Sequence, residues 1–255
     1  MPEFVEAEAY RRTAEPLVDA EVTEVEVLDP RLLRRRNGDP IEPMLKRTRF
    51  TGARRLGKLV LLDLDSGSTL AQSFGLRGRL IVDGTMASTA ERLRRPATPR
   101  SDHVRLRVTA GQHRLELEDQ LRLATAELDI DESRLGIDVL ALTESDLEQL
   151  LGRSTAAIKS RLMDQRVIAG IGNLLADEIL FQAGLAPGRA SDELEVGERA
   201  ALWRAIVKTR DHTLRRGGSH HGEFIQSGAR ERGAHCPRCG VEIERVRVGG
   251  RTTFF

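Results

Sequence analysis

The sequence of 255 residues is poor in aromatic residues and has no long apolar run, and each shortage excludes a class of protein. Aromatic residues make up 4% of the chain, which argues against a protein that stacks successive single-stranded bases on its rings. No segment is apolar for long enough to span a bilayer, and no signal peptide precedes the first polar residues. We therefore predict a cytoplasmic protein without a membrane partner, long enough for two or three compact units.

The chain also lacks a large excess of charge of either sign, since its formal net charge is +1. This total conceals a difference between the two parts of the chain. Residues 1–150 contain 23 Lys and Arg against 27 Asp and Glu, whereas residues 151–255 contain 17 against 12. The basic excess in the last part is compatible with a protein that contacts a polyanion through selected surfaces. The electrostatic field of the whole protein contributes little to that attraction, because the total charge is close to zero.

Cysteine is scarce, because Cys236 and Cys239 are the two cysteines of the sequence and stand together as Cys-Pro-Arg-Cys. In a reducing compartment such a pair indicates half of a metal site or a redox pair before it indicates a structural disulfide. A tetrahedral zinc ion needs four ligands, and these thiols supply two. His220, His221 and His235 could in principle join them, although histidines in such loops are more often solvated turn residues.

Short strands with glycine-rich corners follow one another in the first half of the chain. Alternating or continuous apolar residues predict them at 22–27, 50–64, 69–74, 79–82, 103–108 and 114–117. No helical crossover separates them, so the pattern favours a β-sandwich over a parallel sheet. A helix over residues 7–18, with Pro16 near its end, is predicted to lead this domain.

Beyond residue 129 the pattern becomes helical. An N-cap at 143–146 precedes the first helix, and further helices are predicted at 154–163, 177–183 and 195–214. The chain closes with an alternating strand, the Gly249-Gly250 turn and a second strand, which is a β-hairpin. We predict an α+β multidomain protein with a β-sandwich domain at 1–130, a helical domain at 131–218 and a zinc-finger-like hairpin at 219–255.

The first residues, Met1-Pro2-Glu3, carry chemistry of their own. If Met1 is removed, Pro2 offers a secondary amine that can form an iminium with an aldehyde carbon, which is covalent catalysis of the Schiff-base type. Glu3 could then move a proton to and from the reacting groups, and Glu6 lies one helical turn further along. The alternative is purely structural, because proline followed by acidic residues is also a good helix start.

A second segment combines glycines with the start of a helix. Gly170 and Gly172 flank Ile171, which permits successive tight turns or close approach of another chain. Asn173 then stands at the mouth of the next helix, where free backbone N–H groups attract a phosphate. Glycines at a helix–helix corner are also common without any ligand, so both interpretations remain open here.

Together, the three segments resemble the formamidopyrimidine-DNA glycosylase and endonuclease VIII family over nearly the whole chain, as in a divergent bacterial, actinobacterial-like member. The family begins with Met-Pro-Glu and further acidic residues, has a helix–two-turn–helix motif with Asp-Gln and Gly-x-Gly-Asn, and ends in a zinc-finger hairpin. The matching positions are Pro2, Glu3, Glu6, Glu8, Asp164, Gln165, Gly170, Gly172, Asn173, Cys236, Cys239, Gly240, Arg251 and Thr253.

The resemblance implies base-excision repair by a DNA glycosylase with AP-lyase activity, acting as a monomer on damaged double-stranded DNA in the nucleoid. Pro2 would attack the C1′ of a flipped nucleotide, Glu3 would be the proton shuttle, and Glu6 an electrostatic or structural helper. Elimination of the flanking phosphates from the Schiff base would leave a nicked strand. Zinc would be bound by Cys236 and Cys239, in a site for which this sequence holds half the ligands.

The same resemblance implies a set of DNA contacts. Lys58 would bind the phosphates flanking the lesion together with Asn173 and Arg251, although a lysine at a strand start can also be merely solvated. Lys159, in the helix–two-turn–helix motif, is a further candidate contact, and Leu76 would be the wedge that enters the duplex.

Three departures from the family bear on the substrate. Ser73 replaces a phosphate-facing histidine. The Arg and Phe with which relatives probe the opposite strand become Leu121 and Leu123, and the resemblance makes Leu121, Arg122 and Leu123 candidate DNA contacts facing that strand. A short connection between Arg210 and Gly228 favours the endonuclease VIII branch or a side branch. The alternative function is a lesion-binding protein without catalysis, which would bind abasic duplex in a salt-dependent way without cleaving it. An RNA-binding protein would not explain the first six residues.

Overall fold

The computed structural model describes residues 2–33, 40–86, 101–152 and 154–255, and contains two compact units, Met1–Glu132 and Ser133–Phe255. The boundary lies two residues from the one predicted at 130. The predicted third domain at 219–255 lies within the second unit. Met1, on which the terminal chemistry depends, lies outside the described residues.

The first unit begins with helix α1, Phe4–Ala14, which starts three residues earlier than predicted. Glu3 and Glu6 form a capping box at its start, so the acidic residues of the terminal motif also satisfy backbone N–H groups. Pro16 lies in a short 3-10 turn that ends the helix, because proline cannot donate the next helical hydrogen bond. Phe4 and Tyr10 are buried on the inner face of α1.

Two antiparallel sheets make up the rest of the unit, and the predicted β-sandwich is confirmed. The strands are β1 Val22–Val27, β2 Phe50–Leu56, β3 Leu59–Leu64, β4 Thr69–Ser73, β5 Arg79–Val82, β6 Thr85–Met86, β7 Val104–Ala110, β8 His113–Glu118 and β9 Thr125–Leu128. One sheet has the order β1-β7-β8-β5-β6 and the other β2-β3-β4-β9. A short helix, α2 Ile41–Leu45, follows β1.

Buried residues from both sheets and from α1 share one hydrophobic core. The predicted strand at 50–64 is divided by a tight turn at Gly57 and Lys58, where Gly57 has a φ of 58°. Two short strands, β6 and β9, carried no usable pattern in the sequence. Strand β9 pairs with β4, with Ser73 opposite Thr125.

The second unit consists of helices, a short parallel pair of strands and the terminal hairpin. Its helices are α3 Glu144–Leu151, α4 Ile158–Met163, α5 Asn173–Ala183, α6 Val196–Arg216 and α7 Glu223–Gln226. Strands β10 Ile137–Asp138 and β11 Ile168–Ala169 pair in parallel, and β12 Arg245–Val248 pairs with β13 Arg251–Phe254 in the hairpin. Within the described residues, no helix is long and apolar enough to cross a membrane.

The hairpin and the segment before it pack on the helices through a small apolar cluster. Phe224, Ala229 and Ile243 form its buried centre, and the Phe181 ring of α5 stacks on Phe224 with ring centroids 4.7 Å apart. Cys236 and other neighbours pack against this cluster. The predicted hairpin is therefore confirmed, and it is held to the helices of its own unit by ordinary hydrophobic packing.

Candidate active site and nucleic-acid interface

The terminal motif lies at the start of α1, and its residues are held by the capping box. Glu3 and Glu6 are both buried, and the backbone N–H of Glu3 donates to Glu6 Oε2 at 2.9 Å. Glu6 therefore orients the backbone that carries Glu3. Pro2 is also buried in this structure, and its nitrogen is an amide as long as Met1 precedes it. The predicted chemistry requires that nitrogen to be a free secondary amine.

Lys58 lies in the two-residue turn between β2 and β3 and is half-buried. Gly57 before it adopts the left-handed conformation that glycine tolerates without strain. The carbonyl oxygen of Gly57 accepts a hydrogen bond from Nη1 of Arg55 at 2.8 Å. A tight turn that accepts a side-chain hydrogen bond thus carries the lysine predicted to bind phosphate.

Three exposed leucines form an apolar projection, here called the leucine tip, on two neighbouring loops of the first unit. Leu76, Leu121 and Leu123 are 44%, 41% and 49% exposed. Gly75 brings the loops together, because a Cβ added there would lie 2.6 Å from the Leu123 Cβ. The structure therefore places the predicted wedge residue beside the residues predicted to face the opposite strand.

The carboxylate of Asp119 fixes the second of these loops. Its oxygens accept hydrogen bonds from the backbone N–H groups of Leu121, Leu123 and Ala124 at 3.0, 2.6 and 2.7 Å. Arg122 has a positive φ of 58°, and its Nε lies 3.4 Å from Oδ2 of Asp29. The guanidinium thus has a protein partner, while the Arg122 side chain is still 49% exposed, as much as the leucines beside it.

Asp29 remains available as an anion for that arginine. A hydrogen bond from the side chain of Arg31 lowers the pKa of Asp29, and the nearby charges of Arg31 and Arg122 act in the same direction. Burial of the carboxylate opposes this effect without reversing it. Asp29 is therefore ionised and able to pair with Arg122 across the neutral pH range.

In the second unit, Gln165 shapes the turn before α5. Its Nε2 donates to the carbonyl oxygens of Met163 and Ile171 at 2.7 and 2.9 Å, and its Oε1 accepts from the N–H of Gly170 at 3.0 Å. Gly170 has a φ of 118°, which only glycine adopts readily. The interpretation of these glycines as parts of two shaped turns is thereby favoured.

Asn173 is the first residue of α5, an 11-residue helix whose N-cap is Gly172. Its Oδ1 is buried and has no hydrogen-bond partner among the described residues. The positive end of the helix dipole makes this terminus suitable for an anion. Arg251, at the start of β13 in the same unit, is exposed and can reach solvent-borne groups.

The structure corrects the prediction that Lys159 contacts DNA. Its side chain is 0% exposed, and Nζ lies 2.6 Å from Oδ1 of Asp177, which is equally buried. The same Nζ donates to Oγ1 of Thr253 at 2.7 Å, and Arg230 pairs with the other oxygen of Asp177 at 2.7 Å. A lysine was expected at the surface because this residue type is rarely fully buried unless paired. Lys159 instead holds the hairpin to helices α4 and α5.

Cys236 and Cys239 lie in a compact knuckle, but they do not form a complete zinc site with the described residues. Backbone N–H groups of Arg238 and Cys239 lower the pKa of the Cys236 thiol, which favours the thiolate that metals bind. No cluster of three or more histidine, cysteine or acidic side chains suited to a metal occurs in the part of the chain that the structure describes. Two thiols do not satisfy the four-ligand requirement of structural zinc.

Three residues that position the site were not recognised as such in the sequence. Asp119 holds the leucine tip, Gln165 builds the turn before α5, and Arg55 binds the turn that carries Lys58. Gln165 belonged to a matched motif, and an aspartate ahead of a short loop is a familiar turn signal. Nothing in the local pattern distinguishes Arg55 from its neighbour Arg54.

A sandwich whose leading helix starts at Pro-Glu, joined in one chain to a helix–two-turn–helix unit with an anion-ready helix terminus, defines a class of DNA glycosylases. Family profiles agree with this class: the formamidopyrimidine-DNA glycosylase N-terminal domain matches residues 1–126, and the formamidopyrimidine-DNA glycosylase H2TH domain matches residues 136–224. The chain belongs to the formamidopyrimidine-DNA glycosylase family.

Individual relatives match along the full length of the chain. It is 32% identical to formamidopyrimidine-DNA glycosylases of Pelotomaculum thermopropionicum and Methylococcus capsulatus, with all of this chain and 97% and 98% of those proteins covered. Its fold matches Lactococcus lactis Fpg in complex with DNA containing N7-benzyl-Fapy-dG, with a TM-score of 0.82 at 24% identity over 100% of this chain and 97% of that one. A complex of Lactococcus lactis Fpg with THF-DNA and an inhibitor gives 0.83 at 24% identity, with the same coverage.

Proposed function

We propose that this protein is a base-excision-repair DNA glycosylase that also cleaves the strand at the resulting abasic site. The observation that carries the proposal is the Pro2-Glu3 pair at the capped start of α1, in a chain of this family. A proline followed by a buried, oriented carboxylate combines a nucleophile with a proton-transfer group. The names of the relatives support the glycosylase step. The lyase step is proposed from the chemistry of an amino-terminal proline.

The chemistry begins once Met1 has been removed. The Pro2 nitrogen attacks C1′ of the damaged nucleotide, the bond from C1′ to the base breaks, and the base leaves with the electron pair and a proton supplied through Glu3. The Pro2 nitrogen then gives up its own proton, and its lone pair opens the bond from C1′ to O4′ as O4′ takes up a proton, which yields an iminium between Pro2 and the opened sugar. The resulting iminium makes the C2′ hydrogen acidic, so its removal expels the phosphate on C3′. A second elimination expels the phosphate on C5′, and water then hydrolyses the iminium and restores the amine.

Each unit contributes its own contacts to DNA in this proposal. Lys58 in the first unit, and Asn173 with Arg251 in the second, bind backbone phosphates, which position the duplex without reading its sequence. The leucine tip enters the base stack, as apolar wedges do in other DNA-bending proteins. The energy of these contacts offsets the cost of extruding the damaged nucleotide.

Zinc binding stays a prediction for Cys236 and Cys239, which would supply two of four ligands. No step of the proposed reaction passes through a metal, and packing already holds the hairpin in its unit. Metal analysis of the purified protein tests this point independently of activity.

The proposed function is tested by borohydride trapping. Protein shown by intact mass to lack Met1 is incubated with duplexes that carry oxidised purines, oxidised pyrimidines or an abasic site, and the iminium is then reduced. We expect a covalent adduct at Pro2 and a nicked strand from the wild-type protein. Both products should form much more slowly with the Pro2→Gly and Glu3→Gln variants. Lack of any adduct from Met1-free protein on the whole panel refutes the proposal.

One observation favours a second candidate, a lesion-binding protein without catalysis: Pro2 is buried in this structure. That alternative predicts salt-dependent binding of abasic duplex with no adduct and no nick. The trapping experiment separates the two functions because binding and cleavage are measured on the same duplex.

A further inference from the structure

Arg55 links the start of α1 to the turn that carries Lys58. It lies near the end of β2, and its side chain is 5% exposed. Its Nη1 donates to the carbonyl oxygen of Gly57 at 2.8 Å, its Nε lies 3.7 Å from Oε2 of Glu8, and its guanidinium carbon lies 6.0 Å from the centre of the Phe4 ring. These partners come from the two segments that carry the proposed active-site residues of the first unit.

Each partner stands directly beside a residue of the proposed reaction. Phe4 follows Glu3 and is the first residue of α1, so a shift of its ring moves the segment that holds Pro2 and Glu3. Gly57 precedes Lys58, and its left-handed backbone fixes the direction in which that residue leaves β2. A planar guanidinium with several donors in fixed directions can restrain both segments at once, which a lysine cannot.

Glu8 provides the charge that keeps Arg55 in place. Burial of Glu8 raises the pKa of its carboxyl, but hydrogen bonds from Arg11 and Arg12 and their charges outweigh that effect and lower the pKa below its usual value. The carboxylate accepts from Arg11 at 2.9 Å and from Arg12 at 3.0 Å. It therefore remains an anion that attracts Arg55 from the second turn of α1.

We propose that Arg55 is a positioning residue that sets Lys58 relative to Pro2 and Glu3, so that the flanking phosphate and C1′ are presented together. The inference rests on the proposed function. Misplacement of a reacting group by about 1 Å can slow catalysis about 100-fold, even when substrate binding persists. Arg55 acts through Lys58 and the start of α1, and no contact of its own with the sugar or the phosphate is proposed.

The neighbouring residue Arg54 provides a matched control. It lies on the same strand and makes two ion pairs, at 2.8 Å with Asp63 and at 2.5 Å with Glu132, away from the terminal motif. Arg54→Met and Arg55→Met thus each remove one guanidinium and its carboxylate contacts from β2. The two variants differ in which segments lose their restraint.

The test measures single-turnover strand cleavage on a preformed abasic duplex with enzyme in excess, and the Kd for a duplex with an uncleavable tetrahydrofuran abasic analogue. We expect Arg55→Met to lower the rate constant about 100-fold and to change Kd less than about threefold, with an intermediate rate for Arg55→Lys. Arg54→Met should keep a rate within about threefold of wild type. If Arg55→Met does not fold, Arg55→Lys carries the comparison.

A double-mutant cycle asks whether Arg55 acts through Lys58. On a Lys58→Ala background, Arg55→Met should lower the rate much less than on the wild-type background, because coupled residues are non-additive. Equal rates for Arg55→Met and Arg54→Met, or full additivity with Lys58→Ala, overturn the inference while leaving the proposed function intact. A wild-type protein that lacks Met1 and cleaves nothing overturns the proposed function and this inference with it.

Discussion

Replacing Lys159 with methionine should destabilise the second unit strongly, although this lysine has no role in the proposed reaction. The ammonium and the Asp177 carboxylate lie 2.6 Å apart and are both 0% exposed. Removing one partner of such a pair leaves a buried charge and typically costs about 3–5 kcal/mol. Arg230 still pairs with Asp177 in the variant, so we expect a loss near the lower end, about 3 kcal/mol.

Trp203 provides a local probe for this experiment. It is the single tryptophan of the chain and lies in α6, so its fluorescence reports on the second unit during urea unfolding. Lys208→Met is the matched control in the same unit, since Lys208 is 64% exposed and its pair with Glu223 spans 3.8 Å. An exposed pair of this kind contributes at most about 1 kcal/mol.

A second variant separates the lost pair from lost packing. Asp177→Asn keeps the shape of the side chain but removes the carboxylate that pairs with both Lys159 and Arg230, so it should cost at least as much free energy of unfolding as Lys159→Met. Hydrogen exchange should show the loss in peptides from Ser133–Phe255. A cost below about 1 kcal/mol for Lys159→Met, roughly the scale of a surface pair, or a clearly smaller cost for Asp177→Asn than for Lys159→Met, would refute the reasoning.

Three further outcomes can be measured. Gln72→Met should raise the free energy of unfolding by about 1–3 kcal/mol, because the amide is fully buried with no hydrogen-bond partner among the described residues; an unchanged or lower urea midpoint contradicts this. Asp119→Ala should release the backbone of the leucine tip, because the carboxylate no longer accepts the N–H groups of Leu121 and Leu123. Binding of abasic duplex, measured by fluorescence anisotropy, should weaken about tenfold, the scale of one charge-assisted hydrogen bond. Unaltered affinity would argue that the leucine tip is not a wedge. Hydrogen bonds from Arg54 lower the pKa of Glu132 in the folded protein. Their contribution to the free energy of unfolding is therefore fully present above the pKa that Glu132 has in the unfolded chain, and it is lost as the pH falls through the lower pKa of the folded protein. The stability difference between wild type and Arg54→Met should therefore shrink steadily in urea titrations below about pH 4, and a constant difference excludes this linkage.

Local signals explain why much of the fold could be predicted. Alternation over β1, the glycine corners and the Gly249-Gly250 turn depend on residues within a few positions of one another, and the structure has the predicted β-sandwich and hairpin. The boundaries were less accurate where one residue served two purposes. Glu3 was interpreted as a catalytic group, and it is also the N-cap that starts α1 at Phe4.

The candidate site could be predicted only in part, because several of its contacts join residues that are distant in sequence. Lys159 lies 94 positions from Thr253, and its burial depends on the folded hairpin. The ion pair between Arg122 and Asp29 likewise joins two segments that are distant in the chain. Arg55 and Arg54 are adjacent and chemically identical, and only the pleat of β2 sends them to different partners.

The sequence by itself determined the family motifs, the β-sandwich, the order of the helices and the identity of the residues that can react. Those properties follow from residue type and short-range periodicity, which survive without knowledge of distant neighbours. Only the tertiary structure decided which charged groups face solvent and which are consumed inside the protein. Desolvation and ion pairing depend on what surrounds a side chain in space, and the chain order of Lys159, Asp177 and Arg230 does not contain that information.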